Sequence, residues 1–365
     1  MSKEPWYRIN IESQIITPGL LVFPDRVKHN IESMIQISRD PNRLIPHVKT
    51  YKMQNIVKLL MSYGIKEFKC ATLGEMQMLI SCNVKHILLA VQPTKEKALK
   101  VLKVQEIYPE ITFSTLVDNS DSLKLFSNLA KSKNQKMNLW LDINNGMNRT
   151  GVVPKLATGL YMKLFNDSNL KAEGLHVYDG HIRSQQMKER VDQCNIDFEA
   201  VERLIFEIEN HGGIVPKKIT GGSPSFYPHS LKNNNLLSPG TTLLWDLGYQ
   251  RIWKESPFLQ AAILVTRLIS KPNKNIFCFD LGHKSVASEM PLPRVEILGL
   301  EGANHKMQSE EHLVLEYDKE NNFKIGDLFY AIPYHICPTV AKYSKAYAVI
   351  GGEIDSFWKI EAQNY

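Results

Sequence analysis

Short apolar runs alternate with longer amphipathic stretches through the first two-thirds of the chain. The runs at 20–23, 44–46, 68–71, 86–90, 112–117, 138–143, 174–178 and 217–220 read as eight strands. The stretches between them include 26–38, 53–63, 73–81 and 195–211, all with helical spacing of apolar positions. The last keeps Phe198, Val201, Leu204, Ile205 and Ile208 on one face. Strand–helix alternation predicts a parallel sheet with helices outside it. Eight such units over about 220 residues predict a (β/α)8 TIM-type barrel, an α/β fold. An open doubly wound sheet is the alternative. No Gly-x-Gly-x-x-Gly follows the first run, which argues against a dinucleotide site.

The pattern changes near Pro239. Runs at 243–245, 258–268, 276–280, 294–298, 312–317, 327–334 and 346–350 are separated by turn signals, and helical spacing is scarce. This half predicts a mostly antiparallel β-domain. The expected division is a barrel over 18–240 and a β-domain made of 1–17 with 241–365.

Composition narrows the class. Of 365 residues, 43% are hydrophobic and 22% charged, ordinary for a globular enzyme. No apolar run approaches the roughly 18 residues a membrane helix needs. The start, Met-Ser-Lys-Glu-Pro-Trp, lacks the apolar core of a signal peptide, so a cytoplasmic location is expected. The net charge of +6 is spread over scattered lysines, which argues against nucleic-acid binding. Five cysteines without a Cys-x-x-Cys pair argue against a disulfide framework.

Chemistry in a barrel collects where the strands end. Lys49 leaves the second run in Arg43-Leu-Ile-Pro-His-Val-Lys-Thr50, and a lysine in a dry pocket forms Schiff bases and acts as a base. Arg149 follows the sixth run, and Tyr178 and His181 follow the seventh. The eighth ends in Thr220-Gly-Gly-Ser-Pro-Ser225, whose free N–H groups suit a phosphate. A lysine, an arginine, an aromatic ring, a histidine and a phosphate turn at one mouth point to pyridoxal phosphate. Separately, His335 and Cys337 lie in Pro333-Tyr-His-Ile-Cys-Pro. Read as a strand, they project from one face and offer a divalent metal two ligands, zinc first and manganese second. Two protein ligands leave positions open, as a catalytic metal needs.

These motifs resemble the alanine-racemase-like, fold-type III pyridoxal phosphate enzymes, and within them the D-threonine aldolase and D-serine dehydratase group. The likeness runs through Pro46-His-Val-Lys-Thr50, Gly146-Met-Asn-Arg149, Gly174-Leu-His-Val-Tyr178-Asp-Gly-His181, Gly221-Gly-Ser-Pro-Ser225, Ser309-Glu-Glu-His312 and Pro333-Tyr-His335-Ile-Cys337. The resemblance implies that Lys49 binds the cofactor covalently, with Arg149 beside its ring and Tyr178 near the pyridine. Gly222, Ser223 and Ser225 match the phosphate loop, and His335 and Cys337 the metal ligands. A homodimer is implied too.

The chain departs from the family pattern at Tyr51, where a histidine is usual. His181 and Tyr51 are the candidates for protonating a leaving group. The expected reaction is a lyase step on a D-3-hydroxy amino acid, D-serine-type dehydration ahead of D-threonine-type aldol cleavage. A racemase and a non-catalytic cofactor carrier are the readings from other classes.

Overall fold

The structure is a computed structural model that describes residues 5–10 and 15–363. Of the β-domain residues expected at the two ends, 1–4, 11–14 and 364–365 lie outside the described residues.

Seven strands pair in sequence order as parallel neighbours: Glu67–Cys70, His86–Leu89, Thr112–Val117, Met137–Ile143, Leu170–Val177, Lys218–Thr220 and Asn235–Leu237. Residues 44–47 bridge the two edges of this sheet. Leu44 pairs with Leu237, and His47 pairs with Lys69. The Ile45 N–H donates to Leu237 O at 2.8 Å, and the Lys69 N–H to Pro46 O at 3.0 Å. Helices such as Gln54–Ser62, Leu73–Ser81, Lys95–Ile107, Ser120–Ser132 and Pro154–Phe165 follow the strands. Ile45, Leu88, Leu116, Trp140 and Ile219 fill the interior as a small separate core, so the barrel is packed and not a pore.

One strand changes sheet relative to expectation. Gly19–Val22 was expected to open the barrel; it lies in the second sheet, antiparallel to Ala262–Asn273 and parallel to Lys345–Ile350. Its four residues are all buried, so its apolar run is compatible with either sheet, and only pairing distinguishes them. The last barrel strand is instead Asn235–Leu237, too short and too polar at its start to stand out.

The second sheet runs Asn304–Gln308, Leu313–Glu316, Ile276–Phe279, Ala262–Asn273, Gly19–Val22, Lys345–Ile350, Glu353–Lys359. Leu328–Pro333 pairs with Ala262–Asn273 and carries Val295–Ile297 on its other side. Residues 243–245, expected as a strand, form none: Leu243 ends the 3-10 turn Thr241–Leu243 and the next two residues leave it. His335 and Cys337 also leave the expected strand. His335 caps the short helix Ile336–Val340 at its N-terminus, and Cys337 sits in its first turn. The Pro338 ring cannot donate to a ladder but fits the start of a helix. No helix among the described residues is long and apolar enough to cross a membrane.

Candidate active site

A cavity of about 210 Å³ opens at the C-terminal mouth of the barrel. Lys49, Arg149, Tyr178, Gly222 and Ser223 line it together, joined by His47, Thr50, Lys69, Gln92, His176, Ser238, Gly240, Thr241 and Tyr249. No aspartate or glutamate is among these lining residues.

Lys49 sits in the 3-10 turn Val48–Thr50. The turn begins at His47, whose buried Nδ1 accepts the Lys49 N–H at 3.2 Å. Burial, reinforced by the charges of Lys49 and Lys69, holds the His47 pKa well below the usual imidazole value. The ring is therefore neutral and free to accept. Lys49 itself is exposed; the dry lysine is a different one, Lys69, which is 4% exposed.

The glycine-rich turn approaches the ring of Tyr178 closely. A Cβ on Gly222 would lie 2.8 Å from Tyr178 Cε2, and Gly221 has a φ of +66°. Arg149 stacks its guanidinium over the other side of this mouth, 4.9 Å from the Tyr178 ring centre. The hydroxyl of Ser223 accepts the N–H groups of Gly240 (3.2 Å) and Thr241 (3.0 Å). Ser238, also in the lining, has a buried hydroxyl without a hydrogen-bond partner. The unpartnered Ser238 hydroxyl, the lysine and arginine side chains and the lack of a carboxylate make a lining that suits an anion such as a phosphate. The residues present fit the phosphate-bearing cofactor that the sequence implies.

Ser225 does not reach the cavity. Its Oγ–H donates to Asp179 Oδ1 at 2.5 Å, and its oxygen accepts the Gly222 N–H at 3.2 Å. Asp179 also takes His229 Nε2 at 2.5 Å on its other oxygen. Burial pushes the Asp179 carboxyl up, but the His229 imidazole and the Ser225 hydroxyl outweigh it and bring the pKa below the ordinary value. The turn is therefore clamped from behind by a buried Asp–His pair. Asp179→Asn is expected to destabilise the protein by about 3–5 kcal/mol in denaturant unfolding, because His229 keeps its buried place without its anion. A depressed carboxylate pKa contributes stability above the unfolded-state value. That contribution is lost as pH falls below about 4 toward the folded value, and the wild-type acid limb should flatten in the variant.

His335 and Cys337 do meet, at the rim. Burial lowers the His335 pKa, but its hydrogen bond and charge interaction with Cys337, helped by Glu289 and Asp246, push it up to about 9. Burial raises Cys337, and His335 more than reverses this. Cys337 Sγ also lies 3.2 Å from Thr50 Oγ1 and 3.3 Å from Thr241 Oγ1, both in the cavity lining. Glu289 holds His335 Nδ1. An imidazole and a nearby cysteine sulfur, with a carboxylate behind the imidazole, form a donor set that suits a divalent metal. Asp246 anchors this corner. It accepts the Ile336 N–H at 3.0 Å and the Tyr249 N–H at 2.8 Å, capping two helices with one carboxylate.

Among the described residues, the one group of three or more mutually close donors is Asp179, Cys194 and His229, the clamp behind the glycine-rich turn. Its polar atoms are partnered with one another and lie away from the cavity lining.

Two expected acid–base candidates fall outside the cavity lining. Tyr51 is fully buried, its hydroxyl without a hydrogen-bond partner and on the side of Glu75 and Cys82. Following the 3-10 turn, its side chain enters the core and not the mouth. His181 is exposed, 3.3 Å from Asp197, and packs against Gly146. The sequence reading missed Lys69, His176 and Gln92. A lysine inside the apolar run 68–71 and a histidine between Leu175 and Val177 were the available signals, since charge at an inward strand position is costly.

The alanine racemase N-terminal domain family matches residues 22–247, and the putative serine dehydratase domain matches 261–349. No curated protein matches the chain. Among solved structures, a D-threonine aldolase from Filomicrobium marinum is similar at a TM-score of 0.87 and 21% identity, covering 96% of each chain. An alanine-racemase-like protein from Idiomarina loihiensis has a TM-score of 0.87 at 18% identity, over 98% of this chain and 100% of that one. A D-threo-3-hydroxyaspartate dehydratase from Delftia sp. HT23 has 0.80 at 18%, over 95% and 97%. At these identities the likeness establishes the fold.

Proposed function

The chain belongs to the alanine racemase N-terminal domain family, and from that premise we propose that it is a pyridoxal phosphate- and metal-dependent lyase for D-3-hydroxy amino acids. Dehydration of a D-serine-like substrate to a 2-oxo acid and ammonia is the reaction we favour. The observation that carries this reading is the His335–Cys337 pair at the rim of the cavity that Lys49 lines. The putative serine dehydratase domain spans both residues, in agreement with it. Aldol cleavage is the second reading, favoured by the fold likeness to a D-threonine aldolase.

Bound in the cavity, pyridoxal phosphate supplies an electron sink for charge at the substrate Cα, and a divalent metal at the rim supplies a Lewis acid for a β-hydroxyl. The chain's own residues do the rest. The Ser223 and Ser238 hydroxyls would hold the phosphate, with Ser223 itself held in place by the Gly240 and Thr241 amides. Lys49 would be the attachment point, and its Nζ would be placed to serve as the base toward the substrate Cα proton. His47 keeps the Lys49 turn in place. Tyr178 and Arg149 wall the ring. His335 and Cys337 hold the metal, and Glu289 fixes the imidazole. The homodimer belongs to the same proposal and is checked by light scattering.

The test is a product assay with D-serine, D-threonine and D-threo-3-hydroxyaspartate, with and without a chelator. Pyruvate from D-serine, lost on chelation, is the expected result. Glycine and acetaldehyde from D-threonine would assign the aldolase instead, and conversion to the L-enantiomer that survives chelation would point to a racemase. A thiolate donates more charge to a metal than a carboxylate does. Cys337→Asp is therefore expected to raise the proportion of aldol cleavage over dehydration, and an unchanged product ratio would count against Cys337 as a ligand.

A further inference from the structure

The interior of the barrel is apolar at its lower layer and charged just above it. Lys69 from Glu67–Cys70, Asp142 from Met137–Ile143 and His176 from Leu170–Val177 all turn inward and are all buried. They form one chain of hydrogen bonds. Lys69 Nζ lies 2.8 Å from His176 Nε2, and His176 Nδ1 lies 2.6 Å from Asp142 Oδ1. Gln92 Nε2 donates to the other Asp142 oxygen at 2.7 Å. An imidazole whose Nδ1–H donates to a carboxylate presents Nε2 as an acceptor. One Lys69 N–H therefore points at His176, and Lys69 is itself part of the cavity lining.

Resting on the reading that pyridoxal phosphate binds in this cavity, we propose that Lys69 is the acid–base partner of the bound cofactor. His176 and Asp142 hold the Lys69 amine beneath the site. The proposal assigns the cavity a second working lysine, distinct from the attachment lysine Lys49. The step involved is a proton exchange alone: Lys69 Nζ releases a proton to a basic atom of the bound cofactor or takes it back, and no other bond changes.

The surroundings of Lys69 suit this role. Burial lowers its pKa to about 7, with Lys49 and Arg149 pushing the same way and Asp142 and Asp179 opposing them. His176 and His47, which also face it, have their own pKa values lowered by burial, and Tyr178 has its raised by burial. Asp142 is held below the ordinary carboxylate value, since its bonds to His176, Thr150 and Gln92 outweigh its burial. Tyr178, whose ring centre is 5.6 Å from Lys69 Nζ, joins the layer to the walls of the cavity.

The experiment is a pH titration of the bound cofactor's visible absorbance in the wild-type holoenzyme, Lys69→Arg and Lys69→Met. Arginine keeps the charge and a bond to His176 but does not release its proton. Methionine keeps the length and removes the proton. The wild type is expected to show a spectral transition with its midpoint below the ordinary lysine range, the direction in which burial moves Lys69. That transition should vanish or move by more than one pH unit in both variants, with the cofactor still bound through Lys49. Lys69→Arg should also lose the neutral limb of its kcat profile while KM changes less than threefold. A wild-type midpoint retained within 0.3 pH unit in Lys69→Arg would overturn the role of Lys69. Because that variant preserves the buried charge, it decides the matter even if Lys69→Met does not fold. A wild-type protein that binds no pyridoxal phosphate would overturn the cofactor reading itself, a result separable from the first.

Discussion

Lys49→Ala is expected to reduce turnover of any D-3-hydroxy amino acid by at least about 10³-fold, because attachment and base catalysis are lost together. The visible absorbance of covalently bound cofactor should disappear, and borohydride should no longer fix the cofactor to the chain. Overall stability should change little, since Lys49 is exposed and its backbone, not its side chain, takes the His47 bond. The comparison with Lys69→Met is informative. Both lysines line the cavity, yet only the one on the turn has a side chain free to follow a substrate in and out. Lys69 is pinned by His176 on the barrel floor. Survival of the covalent absorbance in Lys49→Ala, with loss in Lys69→Met, would exchange the two roles and overturn the assignment.

His335→Ala is expected to lose metal-dependent turnover by about 10²-fold or more, a loss of roughly 3 kcal/mol or more of transition-state stabilisation. Metal content measured on the purified protein should fall with it, while bound cofactor stays. The reason is geometric. Removing the imidazole leaves Cys337 with Thr50 and Thr241, two neutral hydroxyls that hold a thiol but do not complete a metal site. Glu289→Gln should give a milder version, since it loosens the imidazole without removing it, and a 10- to 100-fold loss of metal affinity is the ordinary size of such an effect. Full metal content in His335→Ala would move the metal elsewhere in the protein. The buried Asp179, Cys194 and His229 would then be the next group to test.

Much of this protein was legible before any coordinates. Strand–helix alternation shows the barrel because helix and strand periodicities are local, and each buries its apolar face by its own spacing. The mouth residues Lys49, Arg149, Tyr178, Gly222 and Ser223 could be named because strand ends are readable, and a barrel brings strand ends together. The same locality sets the limit. Gly19–Val22 carries an apolar run that either sheet would accept, and only its pairing with Ala262–Asn273, more than 200 residues away, places it. His335 and Cys337 meet through a helix start capped by Asp246, not through the alternation of a strand, and that cap is a contact between distant segments. Tyr51 and Ser225 each lie two residues from a lining residue, Lys49 and Ser223, and point away from the cavity into buried contacts that only the folded chain supplies. The Lys69–His176–Asp142 chain needed three separate strands to face inward at one height. A sequence states which residues are charged and which are apolar; which charges share a buried layer follows from register and closure, and those are properties of the folded barrel alone.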